Sequence, residues 1–127
     1  ETVAWLRRLV AAAPELAMVS LGKSGEGRDL WMVIASADGA FTAEALRRSG
    51  KPVVLVQAGI HSGEIDGKDA GMMLLRDLTV GGQRRPLLDR VSLLFEPERQ
   101  IRTLAMRARA DSPKRVEESG GALQRIP

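Results

Sequence analysis

His61 is the only histidine in a chain of 127 residues. It stands three residues before Glu64 in the stretch "QAGIHSGEIDGKDAG", residues 57–71. The pair follows the apolar run Val53-Val54-Leu55-Val56 and precedes a segment with helical spacing. Neutral imidazole and carboxylate are both good zinc ligands, and catalytic zinc often combines nitrogen ligands, one carboxylate and an open position for water. A spacing of three across a strand-to-helix turn brings both side chains to one side of it. In open α/β sheets, ligands bind beyond the carboxyl ends of the strands. Gly59 and Gly63 let the backbone bend closely around such a site. The plainer alternative is a turn histidine beside a glutamate that favours the helix N-terminus through the macrodipole. Spacing alone does not decide between them, because H-x-x-E arises by chance in many chains. Asp66 and Asp69 divide in the same way, between groups that orient ligands and helix N-terminal acids, and the second reading is favoured.

The elements that must position this pair are legible in the pattern. Thr2 to Ala13 reads as an amphipathic helix with Val3, Leu6, Val10 and Ala13 on one face and Arg7 and Arg8 on the other. Thr2 is its expected N-cap, and Pro14 ends it. Met18 to Leu21 and Leu30 to Ala35 are short strands joined by the glycine-containing "GKSGEGRD" in a hairpin connection. Thr42 to Arg48 forms a short surface helix closed by Gly50. Val53 to Ala58 looks like a strand buried on both faces. A helix then runs from Gly63 or Glu64 to Leu78, with Ile65, Met72, Leu75 and Leu78 inward and Lys68, Asp69 and Arg76 outward; Gly81-Gly82 terminates it. Val91 to Phe95 is a further apolar strand. Strand, crossover helix and strand make a βαβ unit, so the fold class is α/β with a sheet of mixed direction.

Composition bounds the remaining possibilities. The chain is 44% hydrophobic and 28% charged, the profile of one globular domain. Its aromatics are Trp5, Trp31, Phe41 and Phe95 alone, which argues against base-stacking surfaces for nucleic acid. The net charge of +3 is small and reads as a solvated surface. Without cysteine there are no disulfides and no thiolate metal site. No run reaches membrane-spanning length, and no signal segment is visible; the chain begins at Glu1, so a removed leader stays open.

"VLVQAGIHSGEIDGKDAGMMLLRDL" resembles the zinc carboxypeptidase family, the carboxypeptidase A-like metallopeptidases, and particularly its bacterial branch. "SLGKSGEGRDLWMVIAS" is similar to that family's first hairpin, and "LLDRVSLLFEP" to its next core strand. The resemblance covers residues 1–97 and implies the N-terminal portion of a three-layer α/β/α sandwich around a mixed sheet. By the same resemblance His61 and Glu64 are the first two ligands of a Zn²⁺ ion. The implied reaction is metal-assisted hydrolysis of the C-terminal peptide bond of a peptide substrate. In it a zinc-bound water serves as nucleophile, a glutamate as general base, and an arginine holds the substrate carboxylate. The family's habit also implies a secreted or periplasmic location. Arg28, in "EGRD", is family-like and is given a structural role.

The sequence departs from the family after Phe95. Where the family continues with an Asn-Pro-Asp-Gly-like turn, this chain has "EPERQIRT", and the second histidine ligand is missing. The base and the carboxylate-binding arginine are not transferred to Arg99, Arg102 or Glu117 on residue type alone. Residues 98–127 form a basic, poorly patterned tail. Ile101, Leu104, Ala105 and Ala108 keep helical spacing, and disorder is expected beyond Ala110. A shifted reading frame near residue 96 and a naturally short module both account for such a tail. Two functional expectations follow. One is a zinc metallocarboxypeptidase-like hydrolase, incomplete or inactive as this chain. The other is a non-catalytic module that self-associates through an exposed sheet edge. A nucleic-acid role for the arginines is disfavoured, since no binding fold accompanies them.

Overall fold

In the computed structural model, residues 1–61 and 63–98 are described. The predicted tail helix, the disorder beyond Ala110, and Arg99, Arg102 and Glu117 lie outside them. Along the chain the elements are α1 (Thr2–Ala12), β1 (Leu16–Lys23), β2 (Asp29–Ala35), α2 (Ala43–Ser49), β3 (Val53–Gln57), α3 (Asp66–Leu78) and β4 (Ser92–Glu96), with a 3₁₀ helix at Arg85–Asp89. The strands form one sheet in the order β1-β2-β4-β3. β1 and β2 are an antiparallel hairpin, β2 and β4 are antiparallel, and β3 and β4 are parallel. The predicted α/β fold with a mixed sheet is the observed one, and β3-α3-β4 is its βαβ unit.

β4 is the centre of this arrangement because its side chains alternate between two packed faces. Leu93 and Phe95 oppose Ala35 and Val33 of β2. All four are buried in one cluster with Leu6 and Leu9 of α1 and Leu75 and Leu78 of α3. Phe95 is 1% exposed, and α3 reaches it through Gly71, where an added Cβ would lie 2.2 Å from the ring's Cε2. A glycine here therefore sets the helix-to-sheet distance. Ile34 points to the other face by the same alternation and is equally buried, as are Ala40 and Leu46, outside that cluster.

Local chemistry explains the element ends. Ala13 precedes Pro14 and is extended (φ −132°, ψ 109°), so α1 stops one residue early, as pre-proline crowding requires. Thr2 is not the N-cap: it is the first helical residue, Glu1 occupies the cap, and no side chain bonds there. α2 does follow its predicted signals, with Thr42 Oγ1 accepting from Ala45 N at 3.2 Å and Gly50 closing it. The segment "RRPLLDR" was not foreseen as an element. It buries Leu88 completely, while Arg85 donates from Nε to Glu15 Oε1 at 3.0 Å and pairs with Asp89.

Two expectations are corrected. β3 is not buried on both faces: it is the sheet's outer strand, with Val53, Val54 and Leu55 exposed by 44, 43 and 51%. Its composition suits an interior strand, but among the described residues β4 is the one strand beside it. The helix after the motif begins at Asp66 rather than at Gly63 or Glu64. Ile65, expected inward, is therefore a cap residue and 55% exposed. Among the described residues no helix is long and apolar enough to cross a membrane.

Candidate metal site

The site begins where β3 ends. Ala58 donates its N–H to Glu96 O at 2.9 Å, the last bond joining the chain to β4. Gly59 then turns with φ +61°, close against the Pro97 carbonyl, 3.1 Å from where a Cβ would stand. His61 follows, and Gly63 reverses the chain at φ +95°, a conformation that side chains rarely allow. The result is a tight loop in which Glu64 N donates to His61 O at 3.3 Å.

This loop brings the two predicted residues together. His61 Nδ1 and Glu64 Oε1 are 2.8 Å apart, and His61 N–H donates to the other carboxylate oxygen, Oε2, at 3.2 Å. Both side chains are well exposed, by 70 and 56%. The bond from the His61 side chain, helped by the one from its backbone amide, holds the Glu64 carboxyl below the usual carboxylate range. Glu64 precedes α3 and turns back to His61, and His61 is an exposed residue of the turn.

The donor set fits zinc in part. A tetrahedral zinc with arms of about 2.1 Å holds neighbouring donors about 3.4 Å apart. From 2.8 Å, Nδ1 and Oε1 need to separate by only about 0.6 Å to admit one. A cation bound between them would replace any proton on Nδ1. The third ligand is the gap: among the described residues no three His, Cys, Asp or Glu side chains are grouped to hold a metal ion.

Neighbouring residues have simpler duties. Asp66 and Asp69 lie in the first turn of α3, where their charge complements the helix dipole. Arg28 pairs with Glu26 at 3.4 Å at the hairpin tip, in keeping with a structural role. Sequence reading missed the contact of Gln57 Nε2 with Glu96 Oε2 at 2.9 Å. Gln57 and Glu96 are partners in the parallel register and tie the carboxyl ends of β3 and β4 together beneath the loop. Their signal was present, since each is the first polar residue after its apolar run. Lys68 reaches Glu98 at 3.8 Å on the same side.

Fold and loop together define an α/β protein of mixed sheet with a hydrogen-bonded histidine and glutamate beyond the carboxyl end of a parallel strand. The chain belongs to the zinc carboxypeptidase family, whose profile matches residues 2–98. Among solved structures it is similar to the carboxypeptidase A of Helicoverpa armigera, at 22% identity and TM-score 0.62, covering 76% of this chain and 22% of that one. It is also similar to a metallo-carboxypeptidase from Burkholderia cenocepacia, at 24% identity and TM-score 0.61, covering 76% of this chain and 25% of that one. Bovine thrombin-activatable fibrinolysis inhibitor matches at 15% identity and TM-score 0.59, covering 76% and 28%. At these identities the likeness is one of fold, and the chain spans about a quarter of the length of these relatives. A search of curated proteins gives no match.

Proposed function

We propose that this chain contributes His61 and Glu64 as two zinc ligands of a metallocarboxypeptidase-type hydrolase acting at peptide C-termini, and that alone it hydrolyses peptides poorly. The observation that carries the reading is the convergence of Nδ1 and Oε1 to 2.8 Å in a loop built for it. The His61 amide steadies Oε2 and leaves Oε1 and Nδ1 as the converging donors. Bound zinc would polarise a substrate carbonyl and lower the pKa of its own water to about 7. Strong retention needs a further protein ligand, and efficient turnover needs a base and a group for the substrate carboxylate. The chain's single histidine is already used, and family resemblance gives those roles to segments without a match here.

The test is a zinc titration of the metal-stripped chain in competition with a chromophoric chelator. One-to-one binding is expected, weakened at least about tenfold by either His61→Ala or Glu64→Ala. Peptide hydrolysis by the wild-type chain should stay near background. Binding indifferent to both substitutions would overturn the ligand assignment. Efficient release of C-terminal residues, lost in His61→Ala, would overturn the claim of incompleteness. The alternative function, association through a sheet edge, draws support from a separate observation, the exposure of β3.

A further inference from the structure

The backbone of the loop that carries His61 and Glu64 bonds only to itself. Glu64 N donates to His61 O at 3.3 Å, and among the described residues no backbone hydrogen bond ties residues 59–64 to another part of the fold. The side-chain bond between His61 and Glu64 is exposed on both partners, and an exposed pair of this kind contributes little by itself. The position of the loop must therefore come from its two ends.

Both ends meet the same short segment. At the entry, Ala58 N donates to Glu96 O at 2.9 Å, and Gln57 Nε2 donates to Glu96 Oε2 at 2.9 Å. Gly59 then lies so close to the chain after β4 that an added Cβ would stand 3.1 Å from Pro97 O and 3.4 Å from Glu98 Cα. At the exit, Lys68 in the first turn of α3 reaches Glu98 Oε1 at 3.8 Å, and its side chain is only 20% exposed. Entry and exit also touch, since a Cβ on Gly67 would lie 3.5 Å from Ala58 Cβ.

We propose that Glu96, Pro97 and Glu98 brace the loop at both ends, and that Gln57 and Lys68 are positioning residues keeping His61 and Glu64 within reach of one cation, a role that rests on the ligand reading of that pair. The two ends use different chemistry. Gln57 gives Glu96 a neutral donor in a partly buried bond, and bonds to a charged acceptor are among the stronger ones. Lys68 sets an opposite charge against Glu98. Side chains ordered before a ligand arrives lose less freedom when it binds. Both carboxylates lie in the stretch where this chain departs from the family's Asn-Pro-Asp-Gly-like turn, so the brace is built from this chain's own residues.

Nitrogen-15 relaxation of the metal-free full chain tests the brace, and the same samples are then titrated with zinc against a chromophoric chelator. Gln57→Met and Lys68→Met each release one end at nearly constant side-chain length, and the double variant releases both. Arg47→Met breaks an ion pair on α2 instead. In the wild type and in Arg47→Met, the His61 and Glu64 amides should show order parameters near the rigid value of about 0.85. In the double variant they should fall below about 0.6, with each single variant between. The Leu94 amide of β4 should not change, which separates a loosened loop from a loosened sheet. Zinc should bind the double variant roughly tenfold more weakly, as when groups behind metal ligands are removed. Unchanged loop order in the double variant would overturn the proposal, and so would an equal fall in Arg47→Met. Lost order with unchanged zinc affinity would overturn the positioning role. A wild type that binds no zinc, with loop order still lost in the double variant, would uphold the brace and overturn the ligand reading alone.

Discussion

The two outer strands of the sheet formed by the described residues are built differently. β1, at one edge, is interrupted by a register shift between Ser20 and Gly22. The Gly22 amide is taken by Ser20 Oγ at 3.1 Å, and Lys23 closes the strand in a salt bridge to Asp29 at 2.8 Å. Bulges and charged ends are the usual protection of a strand that faces water. β3, at the other edge, has neither, and its exposed residues are Val53, Val54 and Leu55. Position in the sheet alone does not make an edge. β1 has the chemistry of a border, whereas β3 has the chemistry of an interior strand and also carries the loop with His61 and Glu64.

The strongest way to break this contrast is to measure it against the centre of the sheet. Phe95 on β4 is 1% exposed, and Phe95→Ala should cost about 3–5 kcal/mol through lost burial and the cavity left behind. Leu55→Ala, at a residue 51% exposed, should cost no more than about 1 kcal/mol in dilute solution. Urea denaturation of both variants decides the point. A Leu55→Ala cost equal to that of Phe95→Ala at low concentration would mean that β3 is not a free edge in the monomer. A cost that grows with protein concentration would instead sharpen the contrast, since binding to the native state adds to its apparent stability.

The β1 border gives a smaller effect. Gly22 has φ +108°, and nothing lies within 4 Å of an added Cβ. Gly22→Val is therefore a backbone test without a steric clash. It should destabilise by about 1–2 kcal/mol, the cost of holding a β-branched residue in a region it avoids. No change in stability would show that the register shift is not fixed by this glycine, and the border would then rest on Lys23 and Asp29 alone.

The same contrast explains how far sequence reading reached. Helices, strands and the crossover were legible because each has a period that burial enforces. Leu6 and Ala13, two turns apart at the two ends of the face read on α1, and Val33 and Ala35, two apart on β2, all lie inside one cluster, and Val10 packs against it. The closeness of His61 and Glu64 was legible because glycines flank the pair where the chain must turn. Burial of β3 was misread because apolar composition records the environment a strand suits, and neighbours come from the rest of the sheet. The start of α3 was misread for a local reason. Glu64 looks like a helix N-terminal acid, but its carboxylate bonds back to the His61 side chain and amide, which keeps it in the loop. The 3₁₀ helix was missed because it spans only Arg85–Asp89, too short to display a period.

The smallest effect concerns the loop at the end of the unguarded strand, and asks whether edge and site are independent. The Glu64 carboxyl is held below the usual carboxylate range first by its bond to the His61 side chain and then by the His61 amide. A carboxyl depressed in the folded state adds stability above its unfolded pKa, and loses it as pH falls through the lower folded value. Because the pair is exposed, solvent screening keeps that contribution small. The cleaner readout is therefore the titration itself, followed by the Glu64 side-chain carbonyl NMR shift. In the wild type the midpoint should lie below that of an unpaired glutamate. In His61→Ala it should rise, because the side-chain bond is gone while the backbone amide remains. In Leu55→Lys, altered at the edge but not in the loop, it should stay near the wild-type value. An unchanged midpoint in His61→Ala would remove the hydrogen bond from the account of the site. A shift in Leu55→Lys as large as that in His61→Ala would mean that the edge of β3 and the loop it carries form one unit.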